Sequence, residues 1–437
     1  MNNESKSGLS RRSFMRTLGA ASVAATSLPA LAMQQPPAGL PGAAPGAAGM
    51  RRGGGRGAGG GAGMGGGDYG GSTDPDMVKI SSNENPLGPS DLARWAIAST
   101  GALGGRYGAG VGLGNQPAQI LAEEFSLKPG YAQLYAGSGG ALDLALYATL
   151  VSGKDLVVAS PSYNQGQQAG TKMKVKTHLI PLTSTGAHDV KAMVAASKNV
   201  GAYYIVNPNN PTGTMTPKED IVWLVKNKPE GSVVIIDEAY HHFSPDESSI
   251  DLVAQDKDVI VLRTFSKVYG MAGLRAGFMI AKPELHDKVR ALGPGAGTGI
   301  SVSCTTVAAC VASMKDATLI PTRRKINADI RENVLEWMDK SGYEYMKGSQ
   351  ANFFQVNVKR PGREFSMNML KEKVQIGRTW VEMPNYSRIT IGTQPEMDKF
   401  KVAFKKCYEM APAPASALLD MPFIENPSEL DFHKVYA

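Results

Sequence analysis

The sequence predicts an α/β fold in which a mostly parallel, doubly wound sheet forms a large domain, joined by a smaller α+β domain. Short runs of apolar residues recur through the middle of the chain, and several are apolar on both faces, as expected for strands buried in a parallel sheet. Helical patterns lie between some of these runs, and such alternation is typical of doubly wound sheets. The predicted strands are Leu156–Ala159, Tyr203–Val206, Val233–Ile236, Val259–Leu262 and Gly277–Ile280.

Helical patterns and later strands complete this prediction. The segments Ala141–Val151 and Lys218–Lys226 are predicted as helices that lie between strands of the large sheet. A further helical pattern near Arg323–Ser341 begins the second region, which continues through candidate strands at Phe353–Val358 and Ser387–Ile391. A helix followed by a few strands indicates a smaller α+β domain.

The N-terminus has the pattern of an export signal. The pair Arg11 and Arg12 precedes a mildly apolar run that ends near small residues at Ala30 and Ala32. This pattern is typical of a twin-arginine signal peptide, and the apolar run is too short and too weak for a permanent membrane anchor. We therefore expect the twin-arginine export machinery to carry the protein to the periplasm, with an uncleaved leader acting as a membrane tether as the alternative to cleavage.

Composition divides the chain into six parts. A stretch rich in Gly, Ala and Pro follows the leader and has almost no apolar side chains to bury, so we expect a flexible linker there. The chain beyond it is long enough for two domains. The predicted parts are a signal peptide (1–32), the linker (33–75), an N-terminal segment that packs with the small domain (76–105), a large domain (106–320), a small C-terminal domain (321–410) and a tail (411–437).

Charge and cysteine content argue against two classes of function. Of the formal net charge of +7, the leader contributes +3 and the linker +1, which leaves +3 for residues 76–437. So small an excess gives no electrostatic reason to expect nucleic-acid binding. The three cysteines, Cys304, Cys310 and Cys407, lack metal-ligand spacing, and their odd number excludes a complete disulfide framework. We expect no metal and no nucleic-acid partner.

The most informative segment surrounds Lys267, in the stretch Thr264–Phe278. It places one lysine among hydroxyl side chains, with an arginine further along and small residues where the backbone must turn. An amine able to form an imine, beside groups suited to a phosphate, is what pyridoxal phosphate requires of a protein. Taken alone, the segment could equally be an ordinary loop.

Three further segments fall at the ends of predicted strands, where ligands bind in sheets of this kind. Asp237 follows a buried apolar strand, and a pyridine nitrogen stays protonated only beside a fixed negative charge. The run 134–141 leads from a strand into a helix, so that its glycines let backbone N–H groups approach a phosphate. The loop 207–213 contains prolines that can hold an asparagine amide against a phenolic oxygen. A solvated acid or an unliganded turn would explain any one of them.

Together and in this order, the motifs resemble the fold-type I pyridoxal-phosphate enzymes. Within these, the chain is most similar to the class I/II aminotransferases and especially to the histidinol-phosphate aminotransferase group. The resemblance covers nearly all of residues 78–410. The motifs that carry it are Asn83–Ser90, Asn209–Gly213, Asp237–Tyr240, Ser266-Lys267 and Arg388–Thr393.

The resemblance implies pyridoxal 5′-phosphate as the cofactor and a role for each residue around it. Lys267 would hold the internal aldimine and then move a proton between the substrate α-carbon and the cofactor. Asp237 would pair with the pyridine nitrogen, Asn210 and Tyr240 would hydrogen-bond the ring oxygen, and Tyr163 would stack on the ring. The implied phosphate ligands are the backbone of Gly139, Gly140 and Ala141 and the side chains of Thr264, Ser266 and Arg275.

The resemblance also implies substrate-binding and partner residues. Tyr107 would reach the phosphate of the neighbouring subunit, which makes the active site shared and the homodimer obligatory. Arg388 would bind the substrate carboxylate through both guanidinium nitrogens, and Arg378 would add a second cationic contact near the side-chain pocket. Asn85 and Asn352 would contribute polar groups there.

The sequence therefore predicts an aminotransferase that moves an amino group between an amino acid, or a histidinol-phosphate-like amine, and a 2-oxo acid by a ping-pong mechanism. Leu87 stands where many histidinol-phosphate enzymes have an aromatic residue, which leaves the substrate open. Two alternatives stay open as well: a decarboxylase of a phosphorylated amino acid on the same scaffold, and a non-catalytic protein that binds the cofactor.

Overall fold

A computed structural model describes residues 74–106, 112–293 and 302–412 of the chain. The strands are β1 (Val78–Ile80), β2 (Ala132–Tyr135), β3 (Asp155–Ser160), β4 (Thr177–Pro181), β5 (Val200–Val206), β6 (Val233–Asp237), β7 (Val259–Thr264), β8 (Gly277–Ile280), β9 (Phe353–Asn357), β10 (Val374–Ile376) and β11 (Tyr386–Thr390). The α-helices are α1 (Asp91–Thr100), α2 (Gln116–Glu124), α3 (Ser138–Leu150), α4 (Gln165–Met173), α5 (Val190–Ala195), α6 (Lys218–Asn227), α7 (Ile250–Ala254), α8 (Pro283–Arg290), α9 (Cys304–Lys315), α10 (Leu319–Lys340), α11 (Gly362–Lys371) and α12 (Gln394–Glu409).

The central sheet has seven strands in the order β2-β8-β7-β6-β5-β3-β4. Strands β3 to β7 pair in parallel, whereas β8 runs antiparallel to both of its neighbours, β2 and β7. Every residue of β5 and of β6 is buried, which explains why these strands are apolar on both faces. The predicted α/β class with a mostly parallel sheet is confirmed.

The register of the parallel strands brings the predicted ligand residues to one edge of the sheet. Val206, the last residue of β5, lies opposite Asp237, the last residue of β6, and Asp237 lies opposite Leu262 of β7. Because parallel strands end at the same edge, the loop after β5, the carboxylate of Asp237 and the segment after β7 meet there.

The remaining strands form two smaller sheets: β1 pairs in parallel with β10, and β9 pairs antiparallel with β11. They share a separate hydrophobic core with α10, α11 and α12, whose buried members include Phe354, Phe400 and Phe404. The predicted helix near Arg323–Ser341 is found as α10. All described residues belong to one contact unit, so the predicted domain boundaries at 105, 320 and 410 stay predictions.

Several predictions concern residues outside the described ranges. These are the signal peptide, the linker up to residue 73, Tyr107, and the tail from residue 413. In the three ranges that the structure describes, no helix has both the length and the hydropathy needed to cross a membrane.

Candidate active site

Asp237 provides a buried, oriented carboxylate at the centre of the sheet edge. The Tyr204 hydroxyl donates a hydrogen bond to its Oδ2 atom (3.0 Å), and the Ala239 amide donates one to its Oδ1 atom (3.1 Å). Burial raises the pKa of Asp237 to about 6, while the two hydrogen bonds and the nearby Lys267 amine favour the charged form. A carboxylate held at both oxygens is well placed to pair with a ligand cation.

Tyr204 was not among the site residues predicted from the sequence. It lies on β5 opposite Ile235 of β6, two residues before Asp237. Adjacent tyrosines in an apolar strand are a usable signal, but only the register between β5 and β6 shows which hydroxyl reaches the carboxylate.

Lys267 lies just after β7, and its amine points toward the same edge. The Nζ atom donates to the Ser82 carbonyl (3.3 Å) and lies 5.3 Å from the centre of the Tyr240 ring. Burial, with a contribution from the Arg388 cation, lowers the pKa of Lys267 to about 8, and the Glu84 carboxylate opposes this shift. An amine with this pKa is partly neutral near physiological pH, which a nucleophile requires.

Tyr240 follows Asp237 by three residues and places its hydroxyl group at the same edge of the sheet. That oxygen accepts hydrogen bonds from the amides of Asn83 (3.0 Å) and Asn210 (3.5 Å). Since both contacts use the oxygen as an acceptor, its hydrogen can be donated to a ligand. Asn83 was missed as an individual site residue although it begins a predicted motif. Its side chain is held by Thr390, 307 positions away, whose hydroxyl donates to it at 3.1 Å.

The N-terminus of α3 forms a cradle for an anion. Gly137, which precedes the helix, has φ = +86°, and a Cβ atom there would collide with the guanidinium of Arg275. The predicted phosphate ligands Gly139, Gly140 and Ala141 lie in the first turn of the helix. Free N–H groups, the helix dipole and a guanidinium therefore converge at one place, as a phosphate requires.

The two predicted hydroxyl ligands lie together beside this cradle. Thr264 ends β7, and its hydroxyl donates to the Ser266 hydroxyl (3.0 Å) while accepting from the Ser266 amide (3.1 Å). Both side chains are buried. The arrangement places two hydroxyl groups immediately before Lys267.

Tyr163 is half-buried in the loop that follows β3. Burial raises the pKa of Tyr163 to about 12, and the neighbouring ionisable groups of Tyr240 and Asp237 act in the same direction. The preceding residue, Ser162, anchors the loop by donating a hydrogen bond to Asn209 (2.7 Å).

Arg388 is buried on β11 and faces the amide of Asn210. Its Nη1 atom donates to Asn210 Oδ1 (2.8 Å), and its Nη2 atom donates to the Ser81 carbonyl (2.6 Å). Burial lowers the pKa of Arg388 to about 10. Its Nε atom is buried without a hydrogen-bond acceptor among the residues described, and no carboxylate in that part of the chain pairs with the guanidinium.

The other predicted substrate-binding residues are held by neighbouring loops. Arg378 donates to Asn164 Oδ1 (3.0 Å) and stacks on Trp380, two residues that the sequence prediction missed. Asn85 donates to the Val268 carbonyl (3.0 Å).

Asn352 holds the N-terminal segment in place. Its amide donates to the carbonyls of Asn83 and Glu84, each at 3.1 Å, while its Oδ1 atom is buried without a hydrogen-bond donor among the described residues.

The groups at this edge of the sheet fit pyridoxal phosphate. An amine with lowered pKa and an oriented carboxylate are close enough to act on each other's charge, a phenol can donate to the ring oxygen, and an anion cradle lies nearby. The structure thus brings together all the predicted site residues except Tyr107, which lies outside the described ranges. Across 74–106, 112–293 and 302–412, no three His, Cys, Asp or Glu side chains are grouped so as to hold a metal ion.

The chain matches a known protein family over most of its length. The family described as aminotransferase class I and II matches residues 75–404. Histidinol-phosphate aminotransferase 1 of Cupriavidus pinatubonensis is 30% identical over 344 residues, which cover 77% of this chain and 89% of that protein.

Two solved structures have the same fold. One is histidinol-phosphate aminotransferase from Sinorhizobium meliloti in complex with pyridoxal-5′-phosphate (TM-score 0.68, 22% identity, 76% of this chain and 91% of that chain). The other is L-threonine-O-3-phosphate decarboxylase from Porphyromonas gingivalis (TM-score 0.65, 21% identity, 76% of this chain and 100% of that chain). At these identities the likeness establishes the fold alone.

Proposed function

Since the chain belongs to the class I and II aminotransferases, a family that depends on pyridoxal phosphate, we propose that it transfers an amino group between an amino acid, or a histidinol-phosphate-like amine, and a 2-oxo acid in a ping-pong cycle. The observation that carries this proposal is the joint placement of Lys267 and Asp237. The amine has a lowered pKa and the carboxylate is oriented by two hydrogen bonds, at the same edge of the sheet.

The residues around the cofactor would act on it in two ways, by covalent attachment and by electrostatic interaction. When bound, the cofactor supplies an electron sink for the substrate α-carbon. Lys267 would hold the cofactor covalently in the resting enzyme, with the aldehyde oxygen lost as water, and its Nζ atom would carry a proton once the substrate amine has replaced it. Asp237 would place a negative charge at the ring nitrogen, with Tyr204 keeping its oxygens oriented. Tyr163 would cover one face of the ring.

Two further sets of residues would fix the position of the cofactor. Asn210 and Tyr240 would bind the ring oxygen. The phosphate would be held by the first turn of α3 at Gly139, Gly140 and Ala141 together with Thr264, Ser266 and Arg275.

Arg388 would bind the carboxylate of the substrate. The guanidinium is buried and held by Asn210 and Ser81, so that a carboxylate would meet a cation already in place. Arg378 would meet a second anionic group on the substrate side chain, with Asn85 and Asn352 as polar neighbours. We further propose a homodimer in which Tyr107 completes the active site of the partner subunit.

Decarboxylation is the second candidate function, favoured by the shared fold with a threonine-phosphate decarboxylase. Both reactions use the same cofactor and differ in which bond at the α-carbon lies perpendicular to the ring. Binding of the carboxylate to Arg388 would hold the carboxylate in the plane of the ring, and this favours transamination because the bond that breaks is the one perpendicular to the ring. The third candidate is a protein that binds the cofactor without turnover.

One experiment distinguishes the three candidate functions. The protein loaded with cofactor is mixed with a panel of amino acids and phosphorylated amino acids, and both the cofactor absorbance and carbon dioxide release are followed. A transaminase converts the cofactor to its amine form, and a 2-oxo acid restores the original absorbance. Carbon dioxide release without this conversion would indicate the decarboxylase. Absence of both carbon dioxide release and exchange between labelled amino and oxo acids across the panel would indicate the non-catalytic protein.

Export by the twin-arginine route is part of the proposal and can be tested alone. Changing Arg11 and Arg12 to lysine is expected to hold the precursor in the cytoplasm, because the export machinery recognises the arginine pair. Cell fractionation with an antibody to the protein measures this. The matched control changes Arg51 and Arg52, the arginine pair in the linker, and should leave export unaltered. Normal export of the leader variant would disprove the assignment.

A further inference from the structure

Trp380 is a buried aromatic residue in an exposed connection. It lies between β10 and β11, and only 8% of its surface is exposed, compared with 86% for the next residue, Val381. Its indole Nε1 atom donates a hydrogen bond to the Ser162 carbonyl (3.3 Å). The indole therefore connects the β10–β11 loop to the loop that carries Tyr163.

The same indole contacts both arginines of the proposed substrate site. The guanidinium carbon of Arg378 lies 4.6 Å from the ring centre, and that of Arg388 lies 5.3 Å from it. Arg388 also lies 5.7 Å from the ring centre of Phe353, so two aromatic rings contact one buried cation. Aromatic faces attract guanidinium groups, and the attraction is stronger where water is excluded.

These contacts matter because two like charges stand close together. Both guanidinium carbons lie within 5.3 Å of one ring centre, and burial together with the charge of Arg378 lowers the pKa of Arg388, as expected for neighbouring cations. The remaining contacts of Arg388 are to neutral oxygens of Asn210 and Ser81. A ring that binds both guanidiniums offsets the repulsion and restricts where each can lie before the substrate arrives.

We propose that Trp380 is a positioning residue for substrate anions: it holds the guanidiniums of Arg378 and Arg388 in the orientation that receives the substrate carboxylate and a second acidic group. The inference rests on the proposed function, which makes Arg388 the carboxylate ligand. Trp380 itself takes no part in bond breaking. Its removal should therefore weaken anion binding and leave the chemical step nearly unaltered.

The test compares Trp380→Leu and Trp380→Phe with Trp223→Phe, a tryptophan on α6 outside the site. Maleate, an unreactive dicarboxylate, is titrated by calorimetry into each protein loaded with cofactor, and the KM and kcat of the amino donor are measured. We expect Trp380→Leu to weaken maleate binding and raise KM by about tenfold, with kcat changed by less than about threefold. Trp380→Phe, which keeps an aromatic face, should bind maleate about threefold more weakly than the wild type. Trp223→Phe should match the wild type.

Several outcomes would overturn the proposal. Unchanged maleate affinity and KM in Trp380→Leu would do so, as would an equal loss in the leucine and phenylalanine variants or failure of the wild type to bind maleate. If the leucine variant does not fold, the phenylalanine variant decides: weaker maleate binding at unchanged cofactor affinity supports the role, and wild-type affinity overturns it. A wild-type protein that binds maleate but transfers no amino group would refute the proposed function while the maleate comparison still tests Trp380.

Discussion

Replacing Lys267 with alanine is expected to remove both the covalent attachment of the cofactor and the activity. The amine is the nucleophile and the proton carrier in the proposed reaction, and proton transfer by a positioned group alone contributes about 10²–10⁴-fold to a rate. The residues that would hold the phosphate and the ring are unchanged in the variant, so noncovalent binding should persist. We therefore expect a loss of at least about 10³-fold in kcat with the cofactor still bound.

The measurement uses borohydride reduction followed by mass spectrometry of peptides. Wild-type protein should carry the cofactor on the peptide that contains Lys267, and the variant should carry none. Lys325→Ala is a suitable control, since Lys325 is an exposed residue of α10 that pairs with Asp329 at the helix surface. A cofactor adduct on another lysine of the wild type would show that the nucleophile has been assigned to the wrong residue.

Asp237→Asn is expected to give the second large decrease in kcat. The change keeps the shape of the side chain, and the amide oxygen can still accept the hydrogen bond from Ala239, but the amide nitrogen cannot accept the one from Tyr204, and the negative charge at the ring nitrogen is removed. Loss of a single preorganised electrostatic contact in an active site costs about 10²–10³-fold in kcat, and we expect a decrease in that range. Tyr204→Phe, which removes only one of the two hydrogen bonds to the carboxylate, should have a smaller effect of several-fold.

The pH dependence of cofactor binding distinguishes the contribution of the Asp237 charge from that of the side-chain shape. Burial raises the pKa of Asp237 to about 6, so the carboxylate is charged above that pH and becomes neutral as the pH falls through it. Wild-type protein should therefore lose cofactor affinity as the pH is lowered from about 8 to about 5. The phosphate of the cofactor also titrates near pH 6, but equally in both proteins. A steeper loss in the wild type than in Asp237→Asn is expected, and identical profiles would contradict the pairing of Asp237 with the ring.

Where local pattern decides the structure, the sequence was a sufficient guide. The strands β3, β5, β6, β7 and β8 are found within a few residues of their predicted bounds, because runs of apolar and β-branched residues identify buried strands without reference to the rest of the chain. The residues that follow these strands were placed at one edge by the rule that parallel strands end together. This rule alone unites the loop at 207–213 with Asp237 and Lys267.

Strand direction was not available from the same pattern. The apolar run of β8 resembles the runs that form the parallel strands of the sheet. Nevertheless, β8 pairs antiparallel with both of its neighbours, β2 and β7. A four-residue strand that is buried on both faces carries no periodicity to distinguish the two directions.

The sequence by itself therefore determined the class of fold, the family and the identity of the groups that would perform the chemistry. Only the tertiary structure decided how those groups are held: which tyrosine orients Asp237, that Asn83 as well as Asn210 binds Tyr240, and that one indole contacts Arg378 and Arg388. The physical reason is distance along the chain. Asn83 and Tyr240 are 157 positions apart, and Arg388 and Asn210 are 178 apart, so their contacts arise from strand register and loop packing that no local pattern encodes.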